Sequence, residues 1–260
     1  MHKIYYPLEL SNTLDSDKEI IFLGDSFTWG QGLYLPDWKE NRSETFDFFY
    51  NESDEYEYHI QWISQQNFVT KKDLILKNNL SFTNIVADSL NRKCYKRVKN
   101  GGSISANRKI LEFFCKTRLT KKDVILVFQF TSLGREDFNY ITDEEMNQYN
   151  LKEHTNDKII TNILNDRLFE IYNSINILVN NLQSRLGWKC YYLDWLGDFG
   201  KFNEDKFINI NQNKSFFQLM CNMPIKIEYK DKIFFDYHLN EAANKILADS
   251  ILKKINLENS

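Results

Sequence analysis

From Ile20 onward the chain alternates short apolar runs with longer segments of helical period, and this alternation limits the fold more than any other feature. "EIIFLG" is short, β-branched and bounded by glycine, which predicts a strand buried on both faces. "SFTNIVADSLNRK" sets Phe82, Ile85, Val86 and Leu90 at helical spacing, and "CYKRVKN" after it predicts a weaker strand. A helix over about 105–116 carries Ile110, Leu111, Phe113 and Phe114, and "KKDVILVFQFTS" is the strongest strand signal. A long helix over about 157–186 has Ile163, Ile171, Ile175, Val179 and Leu182 along one face, with Gly187 placed to end it. "WKCYYLDW" predicts a fourth strand, and a last helix over about 240–255 carries Ala243, Leu247 and Ile251. Strands that alternate with helices predict an α/β fold, a three-layer α/β/α sandwich around a mainly parallel sheet.

No internal repeat, Pro- or Ser-rich linker or low-complexity tract divides residues 1–260, which predicts a single domain. About 34–80 stands apart. It is dense in aromatic and acidic residues, is longer than a usual strand-to-helix connection, and is expected to be an insertion beside the end of the first strand. Acids and bases are interspersed to a net charge of -3, so no basic stripe exists to follow a phosphate backbone and nucleic acid is not an expected partner. Cys94, Cys115, Cys190 and Cys221 form no C-x-x-C pair, and with only four histidines neither a zinc site nor a disulfide framework is suggested. No metal or cofactor is expected. The N-terminal stretch lacks the apolar core of a signal peptide and no run approaches the roughly 20 apolar residues of a membrane span, so a cytoplasmic protein is expected.

The first strand ends abruptly in Gly24-Asp25-Ser26, and Gly30 and Gly32 follow closely in a chain with nine glycines. In open α/β sheets, ligands bind beyond the carboxyl ends of the strands. A serine there becomes a nucleophile if a base takes its proton, and N–H groups at a helix start can stabilise an oxyanion. Glycines beside it allow positive φ and close approach of backbone to substrate. The sequence has no Walker-type phosphate loop and no G-x-G-x-x-G, and "GDSFTWG" is not the G-x-S-x-G of an α/β-hydrolase elbow. Asp25 is read as bracing the loop.

"GDSFTWGQG" resembles the first block of the SGNH, or GDSL-type, hydrolases, a family of esterases, lipases and carbohydrate O-acyl esterases or transferases with a flavodoxin-like α/β/α fold. The resemblance implies Ser26 as nucleophile. "FFDYHLNEAANKILAD" resembles the family's last block and implies Asp236 and His238 as the other triad members, spaced D-x-H rather than the commoner D-x-x-H. "KNGGSISANRKI" stands where the second block is expected, so Gly102 or Ser105 would supply an oxyanion N–H. In place of the G-x-N-D of the third block the chain has "FQFTSLGRED", where Thr131 or Ser132 would substitute for the asparagine donor. Arg135, just past it, is either a substrate anchor or a surface charge.

The function so implied is a serine-dependent ester hydrolase working through an acyl-enzyme, with an O-acylated carbohydrate or small-molecule ester as substrate. An O-acyltransferase modifying a glycan is the first alternative, and a catalytically silent carbohydrate- or partner-binding protein the second. The aromatic segment supplies a further expectation, that Trp38, Phe46, Phe48 or Trp62 lines one wall of the cleft above Ser26, with Asp54, Glu55 and Glu57 facing water.

Overall fold

The structure is a computed structural model that describes residues 8–25, 28, 30–45, 47, 68–97, 103–117, 123–131, 158–194, 199–202, 205–210 and 216–258. Its centre is a five-stranded sheet of β1 (Leu8–Leu10), β2 (Glu19–Leu23), β3 (Lys93–Arg97), β4 (Val124–Phe130) and β5 (Lys189–Asp194) in the order β1-β3-β2-β4-β5. β3, β2, β4 and β5 run parallel, and the short β1 lies antiparallel on the edge beside β3. The four strands expected from the sequence are these four parallel ones.

Alternation along each strand builds two cores. Ile20 and Phe22 of β2 and Ile125 and Val127 of β4 face α3 (Phe82–Ser89) and α7 (Glu241–Leu257), meeting Phe82, Val86, Leu247 and Ile251. Ile21 and Leu23 with Leu126 and Phe128 face the other way, onto Leu111 and Phe114 of α4 (Ile104–Thr117) and Ile175, Val179 and Leu182 of α5 (Lys158–Leu186). Helices therefore cover both faces of a mainly parallel sheet. The expected helix over 157–186 is α5, and Gly187 follows it at φ +70°, the left-handed geometry that ends helices.

The segment 34–80 begins and ends in helices that the sequence reading did not foresee, α1 (Leu35–Asn41) and α2 (Lys71–Leu80). In α2 the apolar residues Leu74, Ile75 and Leu76 are adjacent, so they form no stripe of helical period. Its start is written in the cap instead. The Thr70 hydroxyl accepts from the Asp73 N–H at 3.3 Å while the Asp73 carboxylate accepts from the Thr70 N–H at 2.6 Å. Also unforeseen are α6 (Phe216–Asn222) and the antiparallel hairpin of β6 (Pro224–Tyr229) and β7 (Lys232–Leu239).

Among the described residues two lysines are wholly buried, Lys77 on α2 and Lys96 on β3. Glu9 of β1 stands opposite Lys96 across the strand pair, and its Oε1 lies 3.7 Å from Lys77 Nζ. Burial, then repulsion from Lys96, lowers Lys77 to about 6, with Glu9 pulling the other way; burial lowers Lys96 as well. Between about 6 and the ordinary lysine value of 10.5, the unfolded chain holds a proton that folded Lys77 lacks. Stability must then rise with pH across that window, by up to about 1.4 kcal/mol per pH unit for this one group. Urea unfolding at pH 6.5 and 8.5 should show wild type gaining more stability over this interval than Lys77→Met. An equal gain in both proteins would mean that Lys77 stays charged in the fold.

Candidate active site

The chain runs from β2 to β3 on one side of β2, then crosses to β4 on the other, so the loops leaving β2 and β4 part at the carboxyl edge of the sheet. Such switch points are where open α/β sheets bind ligands. Gly24 and Asp25 follow β2 there, and Thr131 follows β4.

The turn after β2 is tied down by two buried amides. Asn107 of α4 donates from Nδ2 to the Gly24 carbonyl at 3.2 Å. Gln129 of β4 donates from Nε2 to Asp25 Oδ1 at 3.1 Å, and its Oε1 accepts from the Thr28 hydroxyl at 2.7 Å. Asp25 is 1% exposed and thus braces the loop, as expected. Gly24 cannot be replaced without movement, because a Cβ there would come within 2.4 Å of Gln129 Oε1 and 2.0 Å of Thr28 Oγ1. Ser26 itself lies outside the described residues, as do Gly102, Ser132 and Arg135. Ser105 is in the first turn of α4, partly buried, where Ser103 caps the helix by accepting the Ala106 N–H at 3.2 Å. Thr131 is buried, and among the described residues its Oγ1 has no hydrogen-bond partner.

Asp236 and His238 belong to β7, two residues apart, and their side chains meet. His238 Nδ1 is hydrogen-bonded to Asp236 Oδ1, and the same oxygen accepts the His238 backbone N–H at 3.1 Å. A neutral imidazole that carries its proton on Nδ1 presents Nε2 as its acceptor nitrogen. The pairing register helps. Ile225 stands opposite Asp236, but Pro224 stands opposite Leu239, so the register shifts at a bulge between Asp236 and Leu239. Bulges of this kind re-aim side chains near active sites. The cap of the last helix is Asn240, whose Oδ1 accepts the Ala243 N–H at 2.9 Å, so His238 does not have that structural role.

The hairpin and the loop after β2 meet at Gly32. This residue has φ +80°, and a Cβ there would lie 2.9 Å from Asp236 Oδ2 and 2.7 Å from Ile225 Cδ1. The stretch that opens with Gly24-Asp25-Ser26 thus passes against the carboxylate of the D-x-H pair six residues after Ser26. Tyr34 is buried close by, its phenol pushed up by burial and then by the charges of Asp236 and Asp73.

A third core lies under the hairpin and takes Trp38 out of the four aromatic residues expected to line the cleft. Ile225, Ile227 and Phe234 pack on Tyr34, Leu35 and Trp38, and Trp38 is 0% exposed, with its ring 4.8 Å from that of Tyr34 and the Arg42 guanidinium 5.0 Å above it. Trp38 is therefore a floor beneath β6 and β7, not a wall of an open cleft. Phe46, Phe48, Trp62 and the acids Asp54, Glu55 and Glu57 lie outside the described residues.

Sequence reasoning missed Gln129 and Asn107 as parts of the site, and of Gly32 it foresaw the positive φ but not the contact with Asp236. A signal existed for the first, because Gln129 is the one polar residue in "VILVFQF", and a lone amide inside a buried strand needs partners. Burial pushes the thiols of Cys94 and Cys190 up to about 11 and about 12, which makes both poor nucleophiles at neutral pH, and all four cysteines are free. Among the described residues, no cluster of three His, Cys, Asp or Glu side chains could hold a metal ion, and no helix is long and apolar enough to cross a membrane. No family model, curated protein or solved structure matches this chain.

Proposed function

We propose that this protein is a serine-dependent ester hydrolase of the SGNH type, with Ser26 as nucleophile, His238 as general base and Asp236 as its orienting carboxylate. The observation that carries the reading is the Asp236–His238 pair, whose carboxylate lies against Gly32 in the loop that begins at Asp25-Ser26. A mainly parallel sheet with helices on both faces is compatible with the three-layer, flavodoxin-like sandwich of that family.

In this mechanism His238 Nε2 takes the Ser26 proton as Oγ attacks the ester carbonyl, and Asp236 stabilises the imidazolium. The proton then passes to the leaving alkoxide, and an acyl-enzyme remains. The oxyanion would be met by the Ser26 N–H, a loop N–H from Gly102 or Ser105, and the Thr131 hydroxyl. Thr131 supports this role because a buried hydroxyl left unpaired costs about 1–3 kcal/mol, which a bond to the oxyanion would recover. Water attacking the acyl-enzyme completes hydrolysis; a sugar hydroxyl in its place completes O-acyl transfer.

Release of p-nitrophenol from p-nitrophenyl acetate, measured with and without a free sugar, tests the reading. Turnover by the wild type that is absent in Ser26→Ala is expected. Acylated sugar among the products would assign a transferase, and release no faster than in buffer would leave only a binding role for the fold.

A further inference from the structure

β4 is buried along its whole length, and it is apolar except for one residue that has no place in a hydrophobic strand. Gln129 shares a face with Ile125 and Val127, which enter the core, yet it ends level with Gly24 at the carboxyl edge, since Leu23 pairs with Phe128 in the register. It is 1% exposed. Burying an amide costs free energy unless both its ends are bonded, and here both are: Nε2 to Asp25 at 3.1 Å and Oε1 from Thr28 at 2.7 Å. The orientation of the amide is set by its neighbours, because the opposite flip would turn its carbonyl toward a carboxylate.

We propose that Gln129 is a positioning residue that clamps the turn bearing Ser26, by holding Asp25 on one side of the serine and Thr28 on the other. The inference rests on Ser26 being the nucleophile. Ser26 is separated from Asp25 by one peptide bond and from Thr28 by two, so fixing both flanks restricts where its hydroxyl can sit, without any contact between Gln129 and substrate. The residue type follows from the two partners. A carboxylate needs a donor and a hydroxyl proton needs an acceptor, and glutamine supplies both without charge. Glutamate would set one acceptor against another at Asp25, asparagine is one methylene short, and methionine has neither group. Gly24 completes the clamp, since any Cβ would occupy the space of the Gln129 and Thr28 oxygens.

The test uses Gln129→Met, Thr28→Val, Thr28→Ser and the Gln129→Met/Thr28→Val double variant in the full chain. Three quantities are measured: kcat, KM on p-nitrophenyl acetate, and the rate at which a fluorophosphonate labels Ser26. A nucleophile displaced by a fraction of an ångström loses rate and not binding, so Gln129→Met should lower kcat and labelling by about 30-fold with KM within about twofold. Thr28→Val should lose about 10-fold, Thr28→Ser should regain most of that, and the double variant should be no slower than Gln129→Met alone. A Gln129→Met protein that labels as fast as wild type, or whose loss lies in KM, overturns the inference. If Gln129→Met does not fold, the two Thr28 variants decide, and equal rates in both overturn it. A wild type whose Ser26 neither labels nor turns over ester would bring down the esterase reading, and this inference with it; fast labelling in wild type and Gln129→Met alike removes the inference alone.

Discussion

Ester turnover is expected to fall by about 10⁴-fold or more in Ser26→Ala and in His238→Ala, with unfolding midpoints within about 2 °C of wild type. The two variants should be equally inactive, because a nucleophile without its base and a base without its nucleophile fail at the same step. Asp236→Asn keeps the shape of the side chain but removes the charge that faces the imidazolium, and should cost on the order of 10³ to 10⁴ in kcat. His238 is only partly buried at the end of a hairpin, so its ring can be deleted without opening a core cavity. Activity near wild type in either alanine variant would remove the mechanism.

Trp38→Ala is expected to destabilise the protein by about 3–5 kcal/mol, the usual cost of emptying a buried aromatic site. Trp38 has no exposed surface and supports Ile225, Ile227 and Phe234 from below. Asp236 belongs to the strand that rests on this floor, and Gly32 passes against its carboxylate. A collapsed floor should therefore shift the D-x-H pair and lower kcat on p-nitrophenyl acetate and on a bulky ester to the same degree. Trp38→Phe, which refills most of the space, should recover most of both stability and rate. Loss confined to the bulky ester would instead assign Trp38 to substrate selection, as the aromatic content of the segment had suggested. The structure favours the first outcome because the residue is sealed beneath a hairpin.

Much of the framework is legible without coordinates. β2, β3, β4 and β5 and the helices α3, α4, α5 and α7 appear where apolar period switches between two and 3.6 residues, since each element carries its own burial pattern in consecutive residues. The D-x-H pair and the Gly-Asp-Ser turn were visible as short motifs at the ends of such elements. The hairpin was not, although "PIKIEY" alternates, because "KIFFDYHL" opens on three consecutive apolar residues after its lysine and the preceding helix α6 has few turns. The helix α2 was hidden by adjacent rather than periodic leucine and isoleucine, and only its Thr70–Asp73 capping box marked it.

What the sequence by itself determined is the local structure and the presence of chemically capable residues at Asp236 and His238. Tertiary structure alone decided which distant residues meet: Gln129 with Asp25 and Thr28 across more than a hundred positions, Trp38 with Ile225 across the whole molecule, and Lys77 with Glu9 through a strand that the sequence barely signals. The physical reason is range. A strand or helix is specified by side chains a few residues apart, whereas a buried amide, lysine or tryptophan becomes stable only when remote parts of the chain supply its hydrogen bonds, its counter-charge or its packing.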